Sequence, residues 1–211
     1  MKTQVIHIDR KNIQASKLKK AAEVLKNGGI AVFPTDTVYG LCANAFDLNA
    51  RKKIYKLKGR SFRKPLIVMA GSTKDLQSLA VMNEAHLRLA KKYWPGQLTL
   101  VLGSTEIGAM LMGGRSNLGA RIPDCKVALA LMKLCGFPLV TTSANTSGKE
   151  SIKSGKEAVK EFSGKADVVI DAGFCGKRQE STVLDVTHFP YVVIREGYLK
   201  KKELEKFASK R

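Results

Sequence analysis

The segment Pro138-Leu-Val-Thr-Thr-Ser-Ala-Asn-Thr-Ser-Gly148 decides how we interpret the fold of this 211-residue chain. A short apolar run, 138–140, is followed by six hydroxyl or amide side chains around Ala144 and then by a glycine. Ligands of α/β proteins bind where strands end, and short polar side chains on a tight turn can hydrogen-bond them there. The segment therefore predicts a strand of an α/β fold with a phosphate or amino-acid site at its end.

Helical and strand patterns alternate on both sides of this segment. Ser16 is the predicted N-cap of a first helix, which has an apolar stripe and ends at Gly28 and Gly29. Asp124 is the predicted cap of a later helix that ends at Gly136. Other helices are expected at 48–57, 73–79, 83–94 and, as a basic C-terminal helix, 199–208. Strands are expected at 30–33, 66–69, 98–102, 118–122, 139–142, 168–170, 183–186 and 192–195.

This pattern predicts a twisted sheet of mixed parallel and antiparallel strands with helices packed on it. The strands after Val168 are joined by turns with little helix, so we expect that part to be antiparallel. We found no internal repeat and no low-complexity linker in the sequence, so we expect one domain over residues 1–211.

Charge and composition limit the class of protein. Lys plus Arg number 37 against 18 for Asp plus Glu, a formal net charge of +19, which favours polyanionic partners unless the excess is merely solvated. No apolar run approaches ~20 residues, so no membrane contact is expected. The N-terminus lacks the apolar region of a signal peptide, which favours a cytoplasmic location. The four cysteines and three histidines have no zinc-site spacing, so we expect free thiols and no metal site.

Two segments could bind a ligand together with the opening one. In Pro34–Gly40, which follows a strand and is expected to precede a turn, hydroxyls surround Asp36; the alternative is a polar turn in which Asp36 accepts from backbone amides. In Lys58-Gly-Arg60, an ammonium and a guanidinium two positions apart suit an oligophosphate. The alternative there is a simple helix cap.

Arg121 and Arg195 each lie in an apolar run. A buried arginine needs an anionic partner, which for Arg121 is either an internal Asp or Glu or a ligand carboxylate. The sequence has no P-loop, no dinucleotide-binding glycine pattern, no Gly-x-Ser-x-Gly elbow and no convincing Cys–His pair. A site rich in cations and hydroxyls fits chemistry that positions reactants and neutralises charge, such as adenylyl transfer.

The chain resembles the YrdC-like family of threonylcarbamoyl-AMP synthases. The matching motifs run in order through Pro34–Leu41, Lys58–Arg60, Lys64–Val68, Trp94–Thr99, Arg121–Pro123, Ser143–Asn145, Glu180–Thr182 and Arg195. The resemblance covers a core of about residues 12–200 and implies a YrdC-like fold with an open concave ligand cleft. It also implies the short single-domain form.

The resemblance implies an L-threonylcarbamoyladenylate synthase, which is a nucleotidyltransferase. L-threonine, bicarbonate and ATP would give threonylcarbamoyl-AMP and pyrophosphate, the first step of threonylcarbamoyladenosine modification of tRNA. Mg²⁺ would arrive with ATP. A downstream tRNA threonylcarbamoyl transferase is the expected partner, and tRNA itself is a further candidate.

The resemblance also assigns site residues. Those that would bind ATP are Lys58, Arg60, Thr99, Ser143, Asn145 and Arg195. Of these, the catalytic set is Lys58, Arg60, Ser143 and Asn145. Those that would frame threonine are Thr35, Thr37, Tyr39, Arg121 and Ser181. Arg121 would pair with the threonine carboxylate, and Asp36 is a further candidate for the amine or for magnesium.

Some positions depart from the family pattern. Ser61 and Glu196 stand where proline is common, Met69 where histidine is common, and Thr142 precedes Ser143 where proline is frequent. Met69 removes a polar contact near threonine, which bears on amino-acid selectivity. Two alternatives remain: an RNA-binding or ribosome-associated module of the same fold without synthase activity, and a carbamoyl-adenylate domain like those of hydrogenase maturation proteins, which lie in much longer chains.

Overall fold

A computed structural model describes residues 2–146, 148–175 and 179–208. The strands are β1 (Gln4–His7), β2 (Ala31–Phe33), β3 (Gly40–Asn44), β4 (Ile67–Met69), β5 (Leu98–Gly103), β6 (Asn117–Arg121), β7 (Leu139–Ser143), β8 (Val168–Asp171), β9 (Thr182–Asp185) and β10 (Val192–Arg195). The helices are α1 (Ala15–Lys26), α2 (Leu48–Lys58), α3 (Thr73–Gln77), α4 (Glu84–Tyr93), α5 (Glu106–Leu111), α6 (Lys126–Cys135), α7 (Gly155–Phe162) and α8 (Lys201–Ala208).

The ten described strands form one mixed sheet in the order β1-β8-β2-β3-β7-β4-β6-β5-β9-β10. The pairs β1–β8, β8–β2, β4–β6 and β5–β9 are parallel, and the others are antiparallel. Both faces are covered, since alternate residues of β2 enter different apolar clusters: Ala31 and Phe33 join α1 and α6, whereas Val32 joins a core that includes residues of α2, α4 and α7. The predicted mixed α/β fold is confirmed.

Helix α1 shows where periodicity predicts well and where capping does not. Its buried residues, Leu18, Ala21, Ala22 and Leu25, are the apolar stripe that the sequence shows. The predicted caps of α1 and α6 are wrong: Ser16 lies inside α1, whose N-cap is Gln14, and Cys125 rather than Asp124 precedes α6. Neither actual N-cap forms a side-chain cap, so we attribute the start of both helices to packing of α1 against α6.

The strands after Val168 depart from the antiparallel expectation. Strand β8 lies parallel between β1 and β2, and β9 lies parallel to β5; within this part only the β9–β10 pair of the described strands is antiparallel. The parallel partners of β8 and β9 lie far away in sequence, so local turn content does not determine the direction of these pairings. Helix α7, before β8, was missed although Ser154 and Glu157 form a capping box that the sequence shows.

Strand β3 corrects a second expectation. Instead of preceding a turn, Gly40 begins β3, which is antiparallel to both β2 and β7. The strand reads Gly-Leu-Cys-Ala-Asn and has no alternation of polar and apolar residues, because its first four residues are buried. The basic helix predicted at 199–208 is present as α8; Ser147 and residues 209–211 lie outside the described part. None of the described helices is long and apolar enough to cross a bilayer.

Gly108 of α5 lies against the backbone of the segment after α3. A Cβ at this position would stand 1.9 Å from the carbonyl oxygen of Leu79, which already accepts from the backbone amide of Thr105. We predict that Gly108→Ala lowers the free energy of unfolding by about 1–3 kcal/mol through overpacking, although alanine favours a helix by about 1 kcal/mol.

Urea denaturation measures this loss, with Gly71→Ala as the control. A Cβ on Gly71 meets no atom within 4 Å, so its change should stay within about 0.5 kcal/mol. Equal stability of the two variants would contradict the close approach of α5 to the backbone at Leu79.

Candidate functional site

An open cleft of about 260 Å³ collects most of the side chains that the sequence singled out. Of the eleven predicted site residues, ten line it: Thr35, Thr37, Tyr39, Lys58, Arg60, Arg121, Ser143, Asn145, Ser181 and Arg195.

The sheet brings these segments together in its middle. Strand β7 lies between β3 and β4, so that Ser143 faces Gly40 on one side and Thr141 faces Ile67 on the other. The opening segment is therefore confirmed as a strand followed by a polar turn, with residues 141–143 and Asn145 lining the cleft.

Lys58 joins the end of α2 to that turn. Its ammonium donates to the carbonyl oxygen and Oδ1 of Asn145 at 3.2 and 2.5 Å, and to the carbonyl oxygen and Oγ of Ser143 at 2.5 and 3.2 Å. The residue is only 3% exposed. The alternative of a simple helix cap is thus replaced by a contact across 85 residues of sequence.

The electrostatic state of Lys58 is unusual for a lysine. Burial of the ammonium lowers the pKa of Lys58 to about 8, the neighbouring charge of Arg60 acts in the same direction, and the carboxylate of Glu180 opposes both. Lys58 is therefore mostly charged at neutral pH and loses its charge under mildly alkaline conditions.

Arg60 sits in the loop that leads from α2 to β4. Its Nε donates to the carbonyl oxygen of Lys64 at 3.0 Å, and its Nη2 donates to that of Pro65 at 3.1 Å. The loop thus curls around the guanidinium, and both Arg60 and Lys64 line the cleft.

Glu180 is a cleft residue to which we assigned no role from the sequence. It forms an ion pair with Arg195 and accepts from the hydroxyl of Ser151 at 2.8 Å. Burial alone would raise the pKa of Glu180, but the charge of Arg195 and hydrogen bonds from Ser151 and Ser143 outweigh it and hold that pKa below its usual value. The sequence signal that could have found Glu180 was its place directly before Ser181 in the motif Glu180–Thr182. In the structure, Arg195 also donates to the carbonyl oxygen of Ser181 at 2.9 Å.

Arg121 is 2% exposed and has an internal partner. Its Nη2 donates to Oδ1 of Asp36 at 2.6 Å, its Nη1 to the hydroxyl of Thr37 at 3.1 Å, and its Nε to the carbonyl oxygen of Gly96 at 2.9 Å. The second oxygen of Asp36 accepts from Gln97 at 2.9 Å. Of the two alternatives for Arg121, the internal pair is present. The guanidinium has five N–H groups and donates three hydrogen bonds here, so donors remain for a further anion.

Two predicted residues use their hydroxyls away from the cleft. Tyr39 donates to the carbonyl oxygen of Gly173 at 2.8 Å and accepts from the amide of Ala172 at 3.1 Å. Burial raises the pKa of Tyr39 well above its ordinary value. Thr99 is fully buried and does not line the cleft. Its hydroxyl contacts the hydroxyl of Ser181, which does line the cleft, at 2.9 Å.

The departures from the family pattern have distinct places. Met69, which is buried, and Thr142 both line the cleft, so these are the departures that a ligand could meet. Glu196 instead accepts from the backbone amide of Lys201 at 3.0 Å and so caps the start of α8. The hydroxyl of Ser61 accepts from the amide of Arg63 at 3.2 Å within the loop. Within the described ranges, no three His, Cys, Asp or Glu side chains cluster as metal ligands.

Comparison with known proteins adds a family and relatives. Residues 23–197 match the sequence model of the Sua5/YciO/YrdC family, described as telomere recombination. The chain is 41% identical over 207 residues to a threonylcarbamoyl-AMP synthase of Pyrococcus abyssi (strain GE5 / Orsay), with 97% of this chain and 60% of that protein covered. It is 36% identical over 192 residues to a threonylcarbamoyl-AMP synthase of Bacillus subtilis (strain 168), with 90% and 56% covered.

A solved structure is similar over nearly the whole chain. The crystal structure of P. abyssi Sua5 complexed with L-threonine aligns with a TM-score of 0.93 at 40% identity, over 98% of this chain and 61% of that one. This chain therefore spans less than two thirds of the length of these relatives.

The lowered pKa of Lys58 generates a pH prediction. Because the ammonium loses its proton as the pH rises through about 8, the ATP that the sequence resemblance assigns to Lys58 should bind about tenfold more weakly at high pH, the loss of one charge-assisted contact. The charge of ATP itself is nearly constant above about pH 7.5. Calorimetric titration across this range measures the effect; a Lys58→Gln variant should bind weakly without this pH dependence, and an equal slope in both proteins would refute the assignment.

The Arg121–Asp36 pair generates a stability prediction. Asp36→Asn leaves a buried guanidinium without its counter-ion and should cost about 3–5 kcal/mol of unfolding free energy. The matched control is Glu161→Gln, which breaks the more exposed pair with Lys165 and should cost about 0.3–0.5 kcal/mol. Denaturation at neutral pH measures both, and similar small losses would show that Arg121 does not depend on Asp36.

Proposed function

The chain belongs to the Sua5/YciO/YrdC family, and from that premise we propose that it is an L-threonylcarbamoyladenylate synthase. The proposed enzyme is a nucleotidyltransferase that converts L-threonine, bicarbonate and ATP into threonylcarbamoyl-AMP and pyrophosphate. The similarity to two threonylcarbamoyl-AMP synthases supports this proposal.

The observation that carries the proposal is the convergence of Lys58, Arg60 and Arg195 with Ser143 and Asn145 on one cleft. Cations from two separate segments of the chain meet hydroxyl and amide groups there, the combination that holds phosphate oxygens. Preorganised donors of this kind stabilise charge that develops on a transferring phosphoryl group.

The opposite side of the cleft would hold threonine. Thr35 and Thr37 share a hydrogen bond of 2.9 Å between their hydroxyls, next to the guanidinium of Arg121. We assign the threonine carboxylate to the donors that Arg121 retains, and the flanking hydroxyls to the rest of the amino acid, with Ser181 and the ring of Tyr39 completing the frame. Met69 borders this region in place of a polar side chain.

The chemistry then needs proximity more than acid–base groups. The threonine amine adds to bicarbonate with loss of water and gives a carbamate. A carbamate oxygen attacks the α-phosphorus of ATP, the bond to the bridging oxygen of the β-phosphate breaks, and pyrophosphate leaves. The cations of the cleft would offset the charge that develops on the phosphates.

Magnesium fits this cleft only as part of the nucleotide complex. The carboxylates of Glu180 and Asp36 are already paired with Arg195 and Arg121. Mg²⁺ bound to substrate phosphates normally keeps several waters and needs few protein ligands. We therefore propose that it enters with ATP and offsets phosphate charge. We further propose a cytoplasmic location and delivery of the product to a tRNA threonylcarbamoyl transferase.

Release of pyrophosphate tests the proposal directly. The purified chain, supplied with ATP, Mg²⁺, L-threonine and bicarbonate, should release pyrophosphate, and omission of any one substrate should abolish the release. If no pyrophosphate forms while tRNA binds at physiological salt, the RNA-binding alternative replaces the synthase.

Variants of the cleft sharpen the test. Lys58→Ala, Arg60→Ala and the Ser143→Ala/Asn145→Ala double variant should each lower turnover roughly tenfold or more, since each removes donors to the phosphates. Lys56→Ala is the matched control, because Lys56 lies exposed on the same helix. Folding is checked by circular dichroism, and unchanged turnover in the double variant would remove the turn after β7 from the site.

A further inference from the structure

The loop at residues 59–65 and the turn at residues 112–116 meet at one edge of the sheet. The loop precedes β4 and the turn precedes β6, and these two strands are parallel neighbours. Because parallel strands start at the same edge, the segments that lead into them arrive side by side. The side chain of Arg115 bridges them.

Arg115 holds two backbone carbonyls of the loop. Its Nη2 donates to the carbonyl oxygen of Phe62 at 3.0 Å and to that of Arg63 at 3.2 Å. Arg115 does not line the cleft; it borders a separate apolar groove beside Tyr55 and Phe62. Its action on the cleft is therefore through the loop.

The other hydrogen bonds of the loop are local in the described part of the chain. The hydroxyl of Tyr55 donates to the carbonyl oxygen of Lys64 at 3.3 Å, and Arg60 donates to the same oxygen at 3.0 Å. The amide of Lys64 donates to the carbonyl oxygen of Ser61 at 3.0 Å. These contacts shape the loop, whereas Arg115 supplies a tie to a segment more than fifty residues away.

We propose that Arg115 is a positioning residue for ATP: by fixing the carbonyls of Phe62 and Arg63 it holds Arg60 and Lys64 at the mouth of the cleft. The inference rests on the proposed function, which places ATP there. Without the tie, binding must also order the loop, and that cost reduces affinity. We assign threonine to the segment 35–39 and Arg121, so the contact between Arg115 and the loop should not change the affinity for threonine.

Binding of Mg²⁺–ATP, measured by calorimetry without threonine or bicarbonate, tests the inference. Arg115→Ala should weaken ATP binding about tenfold and leave threonine binding within about twofold. Arg88→Ala is the charge-matched control, since Arg88 is an exposed arginine whose ion pair with Glu84 lies within α4; it should change neither affinity. Thermal unfolding verifies that all variants are folded.

Arg115→Lys separates positioning from charge. A lysine keeps the positive charge but lacks the planar fork, so it should restore less than half of the lost affinity. Full restoration by lysine would assign the effect to charge and overturn the inference. Equal ATP binding by wild type and Arg115→Ala would overturn it alone, whereas a wild-type chain that binds no ATP would overturn the proposed function as well.

Limited digestion with trypsin measures how accessible the loop is to cleavage, and it needs no enzymatic activity of the protein. Arg60 and Arg63 are cleavage sites inside it, and mass spectrometry identifies the cut. Arg115→Ala should be cut there about tenfold faster than wild type, and Arg88→Ala at the wild-type rate. Equal rates in all three proteins would show that Arg115 does not hold the loop.

Discussion

The buried ammonium of Lys58 connects two segments on which the cleft depends, the end of α2 and the turn after β7. Four oxygens of Ser143 and Asn145 surround it, although an ammonium has only three N–H groups to donate. Its burial cost is offset by these contacts only in part, since the pKa of Lys58 still falls to about 8. An arriving anion therefore meets a cation that is already desolvated, and an N–H group must leave one of these oxygens before it can donate to that anion.

Two carboxylates keep two arginines of the same cleft in place. Glu180 pairs with Arg195, and Asp36 pairs with Arg121, so these guanidinium groups have an anionic partner before any ligand binds. The guanidinium of Arg121 is buried, so the loss of its partner would be strongly destabilising. In a chain with a net charge of +19, these acidic residues stabilise a concentration of positive charge where the proposed chemistry needs it.

Much of this arrangement could be predicted from the sequence, and the exceptions have physical causes. Apolar periodicity located α1, and the run before Thr141 located β7, because burial of one face leaves a direct pattern. The parallel pairing of β8 and β9 could not be predicted, since their parallel partners are distant in sequence. Motif resemblance identified ten residues that line the cleft, but not which way a side chain points: the hydroxyl of Tyr39 is turned to the segment at Ala172 and Gly173. The sequence shows Glu180 directly before Ser181, but its pairing with Arg195 is known only from the fold.

The pairing of β1 with β8 has a consequence for synthesis of the chain. Residues Gln4–His7 pair with Val168–Asp171, so among the described strands β1 is joined to the sheet by a strand that is made much later. At about 5–20 residues per second, the ribosome would leave β1 unpaired for on the order of ten seconds. Such a strand is exposed to other nascent chains, and its brevity and the charged residues Lys2, Asp9, Arg10 and Lys11 around it are features that discourage aggregation.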